Sequence, residues 1–130
     1  MILADTNILI RYLRKKEVAL RPLLSRPDMA ICGVVRAELL QGARTAADEV
    51  AVSQLCDGFI QLPIVEAIWP ALGKHLQSLR ASGLTVPFQD ALIAATALHH
   101  GAEVWSSDNH YPMMQTVIPA LRLFNPTASP

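Results

Sequence analysis

Cysteine is scarce in this chain, with Cys32 and Cys56 the only two in 130 residues. Neither stands in a CxxC pair or a Cys/His cluster, which excludes a disulfide framework, and both read as reduced core thiols. Aromatic residues make up only 5% of a sequence that is 52% hydrophobic, so the core must be aliphatic. Charge of one sign is missing as well. Eleven Lys and Arg balance eleven Asp and Glu, which excludes a histone-like basic protein or an acidic tail. No apolar stretch approaches the ~20 residues of a membrane span. The longest, 91–98, contains Thr96. The N-terminus lacks a basic n-region and meets Asp5 at once, unlike a signal peptide. Together these absences lead us to expect a cytoplasmic protein without membrane association.

What is present is an alternation of short apolar runs and helical patterns. The length is about one domain's worth, and we expect a single domain over residues 1–125 with a short tail, 126–130, poor in core formers. Strands are expected at 2–4, 29–32, 59–62 and 104–105, and a fifth at 121–124. Helical spacing is expected over 8–13, 18–24, 34–41, 45–55, 68–79 and 88–99, with Asp5 or Thr6 capping the first and Gly33 acting as a break. Pro70 falls inside a helical pattern, where it costs ~3 kcal/mol in an interior but little in a first turn, so a late start or a kink is expected. Repeated strand–helix units imply an α/β fold, a mostly parallel sheet of four to five strands flanked by helices on both faces.

In open α/β sheets the working crevice lies beyond the carboxyl ends of the strands. Asp5 directly follows the first strand, and Asp108 follows the fourth across Ser106 and Ser107. Glu38 and Asp90 project from helix faces among apolar neighbours, where an uncompensated carboxylate is costly. Each has a structural alternative. Asp5 and Asp108 are also plausible helix or turn caps, Asp90 complements a helix dipole, and Glu38 could be a solvated or salt-bridged residue. If the four converge, each pair ~5 Å apart repels by ~3 kcal/mol at an effective dielectric of 20, so protons or cations must neutralise them. With no His or Cys at ligand spacing, an all-oxygen set suits Mg²⁺ or Mn²⁺ rather than zinc. Such an ion makes phosphate chemistry the natural use of the site.

Four segments carry a family resemblance: Asp5-Thr6-Asn7-Ile8-Leu9, Arg36-Ala37-Glu38-Leu39-Leu40, Asp90-Ala91-Leu92-Ile93-Ala94-Ala95-Thr96-Ala97-Leu98 and Ser107-Asp108-Asn109-His110-Tyr111. In order and spacing across almost the whole chain they resemble a PIN domain, most closely the VapC ribonuclease toxins of toxin–antitoxin systems. The resemblance implies helices around a parallel sheet and endoribonuclease activity dependent on Mg²⁺ or Mn²⁺. It makes Asp5, Glu38, Asp90 and Asp108 the acidic cluster, with Asp5 and Asp90 as direct metal ligands and Glu38 and Asp108 acting through water or a second metal. Thr6, Asn7, Ser106 and Asn109 become candidates for orienting the site or positioning substrate, as do Arg11 and Arg14. The implied partners are RNA, a VapB-type antitoxin seated in the catalytic groove and a second toxin copy, with DNA reached only through the antitoxin. Gly33 departs from the family's usual Ser or Thr helix cap.

Residues 1–26 carry a net +4 and the remainder −4, so the neutral total hides a basic segment, Arg11 to Arg26, and an acidic remainder. The basic run can meet RNA or antitoxin, or be a solvated helix face. His110 reads as a turn or surface histidine, and Trp69 and Trp105 as packing or dimer residues. Two other classes compete. A receiver domain needs a late lysine, but the lysines are Lys15, Lys16 and Lys74. A haloacid-dehalogenase phosphatase wants Asp where Asn7 stands. A non-catalytic PIN-like binding partner is the remaining alternative.

Overall fold

In the computed structural model, which describes residues 1–127, four strands form one sheet in the order β3-β2-β1-β4, all neighbours parallel. They are β1 (Ile2–Ala4), β2 (Met29–Cys32), β3 (Ile60–Leu62) and β4 (Glu103–Trp105). Every residue of β1 and β2 is buried, whichever face its side chain points to, so the two central strands are covered on both sides. The covering helices are α1 (Thr6–Leu13), α2 (Arg21–Leu24), α3 (Gly33–Gln41), α4 (Ala46–Asp57), α5 (Ile68–Ala81), α6 (Phe88–His100) and α7 (His110–Val117). Helix α3 packs on α1 and α4, while α5, α6 and α7 pack on one another. From β1 to β3 the chain steps one way across the sheet, then returns past β1 to β4. With right-handed crossovers that reversal sends the two helix groups to opposite faces. It also opens a switch point between β1 and β4, where ligands of such sheets bind.

The core is aliphatic as expected, with Ile2, Leu3, Ile8, Leu9, Ile31, Leu39, Ile68 and Ile93 all essentially inaccessible. Cys32 and Cys56 are free and buried. No helix among the described residues is long and apolar enough to cross a membrane.

Several local expectations are corrected. Gly33 is not a break but the first residue of α3, and the cap position belongs to Cys32, which offers no side-chain bond. The expected helix over 18–24 is a 3₁₀ turn, Val18–Leu20, followed by the single turn of α2. Helix α5 starts at Ile68, so Pro70 lies in the first turn, where its missing N–H leaves no bond unmade. The expected fifth strand is reduced to one parallel bridge, Val104 with Leu123, closed by the amides of Val104 and Phe124. Helix α7 was not foreseen at all. Of the expected tail, Pro126 and Thr127 form a turn, and residues 128–130 lie outside the described residues.

Candidate active site

Asp5 is the residue immediately beyond β1 and the N-cap of α1, with extended backbone (φ −79°, ψ 161°). It is 5% exposed. Its Oδ1 accepts the Thr6 amide at 2.8 Å and its Oδ2 accepts the Ser106 hydroxyl at 2.8 Å. Burial pushes its carboxyl above the ordinary aspartate range, only partly opposed by these hydrogen bonds, and the Asp108 charge pushes in the same direction.

Ser106, directly after β4, is the hinge pin of this corner. Its hydroxyl donates to Asp5 and accepts from Asn7 Nδ2 and the Asp108 amide, both at 3.0 Å. One donor and two acceptor sites are thereby filled, the full capacity of a hydroxyl. Asn7 completes the tie by accepting the Ser107 amide at 3.3 Å through Oδ1. The first turn of α1 and the loop after β4 are thus bolted together across the switch point.

Glu38 approaches from α3. Its Oε1 accepts the hydroxyl of the buried Thr6 at 2.9 Å. A mid-helix glutamate gains nothing from the helix dipole, and this bond supplies the reason for its half-buried position.

Asp90, in the first turn of α6, and Asp108 are joined by a residue read from the sequence as a turn or surface histidine. His110 Nδ1 lies 2.8 Å from Asp90 Oδ2 and 2.8 Å from Asp108 Oδ1, so one ring nitrogen bridges two carboxylates. The hydrogen bond to Asp90 leads in raising the His110 pKa. Asp90 is itself held above the ordinary range by burial, with the Asp5 and Asp108 charges adding to the effect against the His110 bond. Asp108 also accepts the His110 amide at 3.0 Å, an Asx-type turn that leads into α7. Tyr111 follows. Its ring is buried and its hydroxyl, close to Asp5 but short of hydrogen-bonding geometry, has no partner among the described residues.

The structure therefore brings together Asp5, Glu38, Asp90 and Asp108, with Thr6, Asn7 and Ser106 as the groups that hold them, and adds His110 and Tyr111. The only sequence signal for these two is their place two and three residues beyond Asp108. Asn109 is exposed and gives α7 no side-chain cap. Arg11 is bound through Nε and Nη2 to Glu17 Oε2, at 3.0 and 2.8 Å, rather than to any of the four acids. Arg14 lies elsewhere, on a groove of about 530 Å³ between the ends of α1 and α3 and the start of α4. Lys16 and Arg44 share that rim above Leu13, Leu39 and Val52. A Cβ at Gly42 would meet the tip of the Arg14 guanidinium, which lies against the glycine and would have to swing aside. Of the two tryptophans, Trp105 is core, edge-on to Phe124 at 5.5 Å, and Trp69 is 42% exposed.

Asp90, Asp108 and His110, with the Asp5 charge beside them, form a donor set for a divalent cation at the end of the parallel sheet, which corrects the expectation that no histidine stands at ligand spacing and that the set is all oxygen. One ligand atom each from Asp90, Asp108 and His110 lie within 4.8 Å of one another. The buried Asp5, the half-buried Asp90 that it repels and the unpaired Tyr111 hydroxyl are what a site built around a positive charge would show. The residues present fit such an ion.

The chain is similar to several known proteins. Ribonuclease VapC4 of Mycobacterium tuberculosis is 39% identical over 87 residues, 65% of this chain and 67% of that protein. Ribonuclease VapC10 of the same species is 35% identical over 127 residues, 92% of each chain. The crystal structure of DNA-bound VapBC from Salmonella typhimurium superposes with a TM-score of 0.81 at 22% identity, over 95% of this chain and 96% of that one, a likeness of fold. The family model described as "PIN domain" matches residues 2–115, which spans every carboxylate of the site, and on that match and the identity to VapC10 the chain belongs to the PIN-domain family.

Proposed function

We propose that the protein is a metal-dependent endoribonuclease, the toxin of a toxin–antitoxin pair, built as a single domain over residues 1–125. The observation that carries the reading is the gathering of Asp5, Asp90 and Asp108 at the switch point of the sheet, with Glu38 drawn in through Thr6. Relatives bearing the name ribonuclease, and solved neighbours described as VapBC or toxin–antitoxin complexes, support the substrate and the partner. Family membership sets aside the receiver and phosphatase alternatives.

In this reading Asp5 and Asp90 hold Mg²⁺ or Mn²⁺ directly, and Asp108 and Glu38 complete the centre. An ion held there would supply Lewis acidity, to a water nucleophile and to the oxygen leaving the phosphodiester. The chain's own part is to keep the ligands aimed. Ser106 and the Thr6 amide fix both oxygens of Asp5, Thr6 fixes Glu38, and His110 fixes the spacing of Asp90 and Asp108. A ligand set oriented this way spends little reorganisation when charge develops on the phosphate.

The groove beside Arg14, Lys16 and Arg44 offers a basic rim over an apolar floor. It suits an acidic, amphipathic antitoxin segment or the phosphates flanking the scissile bond. Trp69, like Phe88, is an exposed aromatic suited to a contact with a second copy. DNA is reached only through the antitoxin.

The test is direct. Purified protein free of antitoxin should cut cellular RNA with Mg²⁺ or Mn²⁺ and lose that activity in EDTA, and Asp5→Ala should abolish growth arrest on expression. Absence of cleavage together with full toxicity of Asp5→Ala would favour the non-catalytic reading.

A further inference from the structure

Among the described residues, Tyr111 Oη is the one buried side-chain polar atom without a hydrogen-bond partner. The other buried hydroxyls are satisfied: Thr96 donates to the Leu92 carbonyl at 2.8 Å and Thr6 to Glu38. A phenylalanine would fill the same space in the first turn of α7 without the desolvation cost of an unpaired hydroxyl. An atom that breaks the rule of satisfied burial beside a functional cluster points to a use there.

Its surroundings narrow that use. The groups whose charges reach the Tyr111 hydroxyl are Asp5, Asp90 and Asp108, the three acids of the site. Asp5 is the nearest to bonding. Its oxygens take one bond each, from the Thr6 amide and the Ser106 hydroxyl. An ionised carboxylate has about four acceptor directions, so about two remain, enough for a cation and one further donor. Ser106 cannot supply that donor, since its single proton is spent, and His110 is committed to Asp90 and Asp108.

We infer that Tyr111 is a positioning residue for the cation, its hydroxyl donating to Asp5 in the loaded site and fixing which lone pairs Asp5 presents to the ion. This rests on the metal-site reading above. It gives the orphan hydroxyl a partner in the loaded form, and couples α7 to β1 through the ligand itself.

The experiment compares wild type with Tyr111→Phe by calorimetric Mg²⁺ titration and by thermal unfolding in chelator. The expected result is Mg²⁺ affinity lowered about tenfold, the scale of one hydrogen bond to a charged group, while the metal-free unfolding midpoint holds or rises. A packing residue would give the reverse, a lower midpoint with unchanged affinity, and unchanged affinity in either case overturns the inference. Should both fall, fluorotyrosine labelling decides, because the chain has only two tyrosines, Tyr12 and Tyr111. The fluorine resonance missing in Tyr111→Phe must shift on Mg²⁺ addition to wild type, and a resonance that stays put overturns it. If wild type binds no Mg²⁺ or Mn²⁺, the metal-site reading itself fails and takes the inference with it, an outcome distinct from a silent Tyr111→Phe.

Discussion

Helices α1 and α3 border two polar regions that differ in sign and in order. Toward the start of α1, Asp5, Thr6 and Asn7 meet Glu38, Ser106 and the Asp108 loop in a web of side-chain bonds of 2.8 to 3.3 Å. Beyond its end, Arg14 and Lys16 face Arg44 across the groove, with Asp48 on the same lining, and among the described residues the three cations are exposed and make no ion pair. Lys16 is also the one non-glycine residue with positive φ among the described residues, at 56°. The contrast separates two tasks. Chemistry requires ligands aimed before substrate arrives, so Asp5 is buried, the other three acids are half-buried, and all four are tied. Recognition of a charged partner tolerates long, mobile cations in water, so the groove is left loose.

The largest effect that would break this contrast comes from the acids. Asp5→Asn should lower RNA cleavage by about a thousandfold, the several kcal/mol expected of a metal centre, with the fold retained by circular dichroism. Loss confined to a few-fold would mean that the tied region is not the catalytic one. Next comes the web rather than a ligand. Ser106→Ala frees Asp5, Asn7 and the Asp108 amide at once, and metal affinity or cleavage should fall about 10- to 100-fold, as for other groups that orient metal ligands. Smaller still is the groove. Arg14→Glu should weaken binding of RNA or antitoxin roughly tenfold and flatten its salt dependence, while the single-turnover rate at saturating RNA is unchanged. A fall in that rate would join the two regions into one.

The smallest effect is in pH. Burial holds Asp5 and Asp90 above the ordinary aspartate value of 3.8, so the folded protein keeps protons that the unfolded chain has released. That contribution to stability is complete below the unfolded value and is lost as pH rises through the raised folded values. In chelator, the unfolding midpoint of wild type should therefore fall, as pH rises above about 4, more than that of Asp5→Asn. Saturating Mg²⁺ should abolish the fall in wild type, since a bound cation favours the ionised acids.

Much of this was legible in the sequence because it depends on local pattern. β1 and β2 are runs of buried apolar residues with the bounds that the sequence suggests, and Asp5 is placed by being the first polar residue after one of them. The structural and functional readings of the acids did not exclude each other. Asp5 caps α1 and Asp108 makes an Asx turn, yet both face the cluster. What escaped the sequence depends on contacts between distant segments. His110 matters because α6 brings Asp90, twenty positions earlier, within 2.8 Å of it. Helix α7 is masked in the sequence by Pro112, which falls in its first turn, where a proline is tolerated. The 121–124 segment has the composition of a strand, but β4 offers it only Val104.

The central claim is that Asp5, Asp90, Asp108 and Glu38 act as one cation-loaded centre. It is tested most directly by anomalous diffraction from crystals of the antitoxin-free protein soaked in Mn²⁺. The account predicts a manganese peak bound by Asp5 and Asp90 that vanishes in Asp90→Asn. Well-ordered crystals with no peak there, from protein that still cuts RNA, would contradict it.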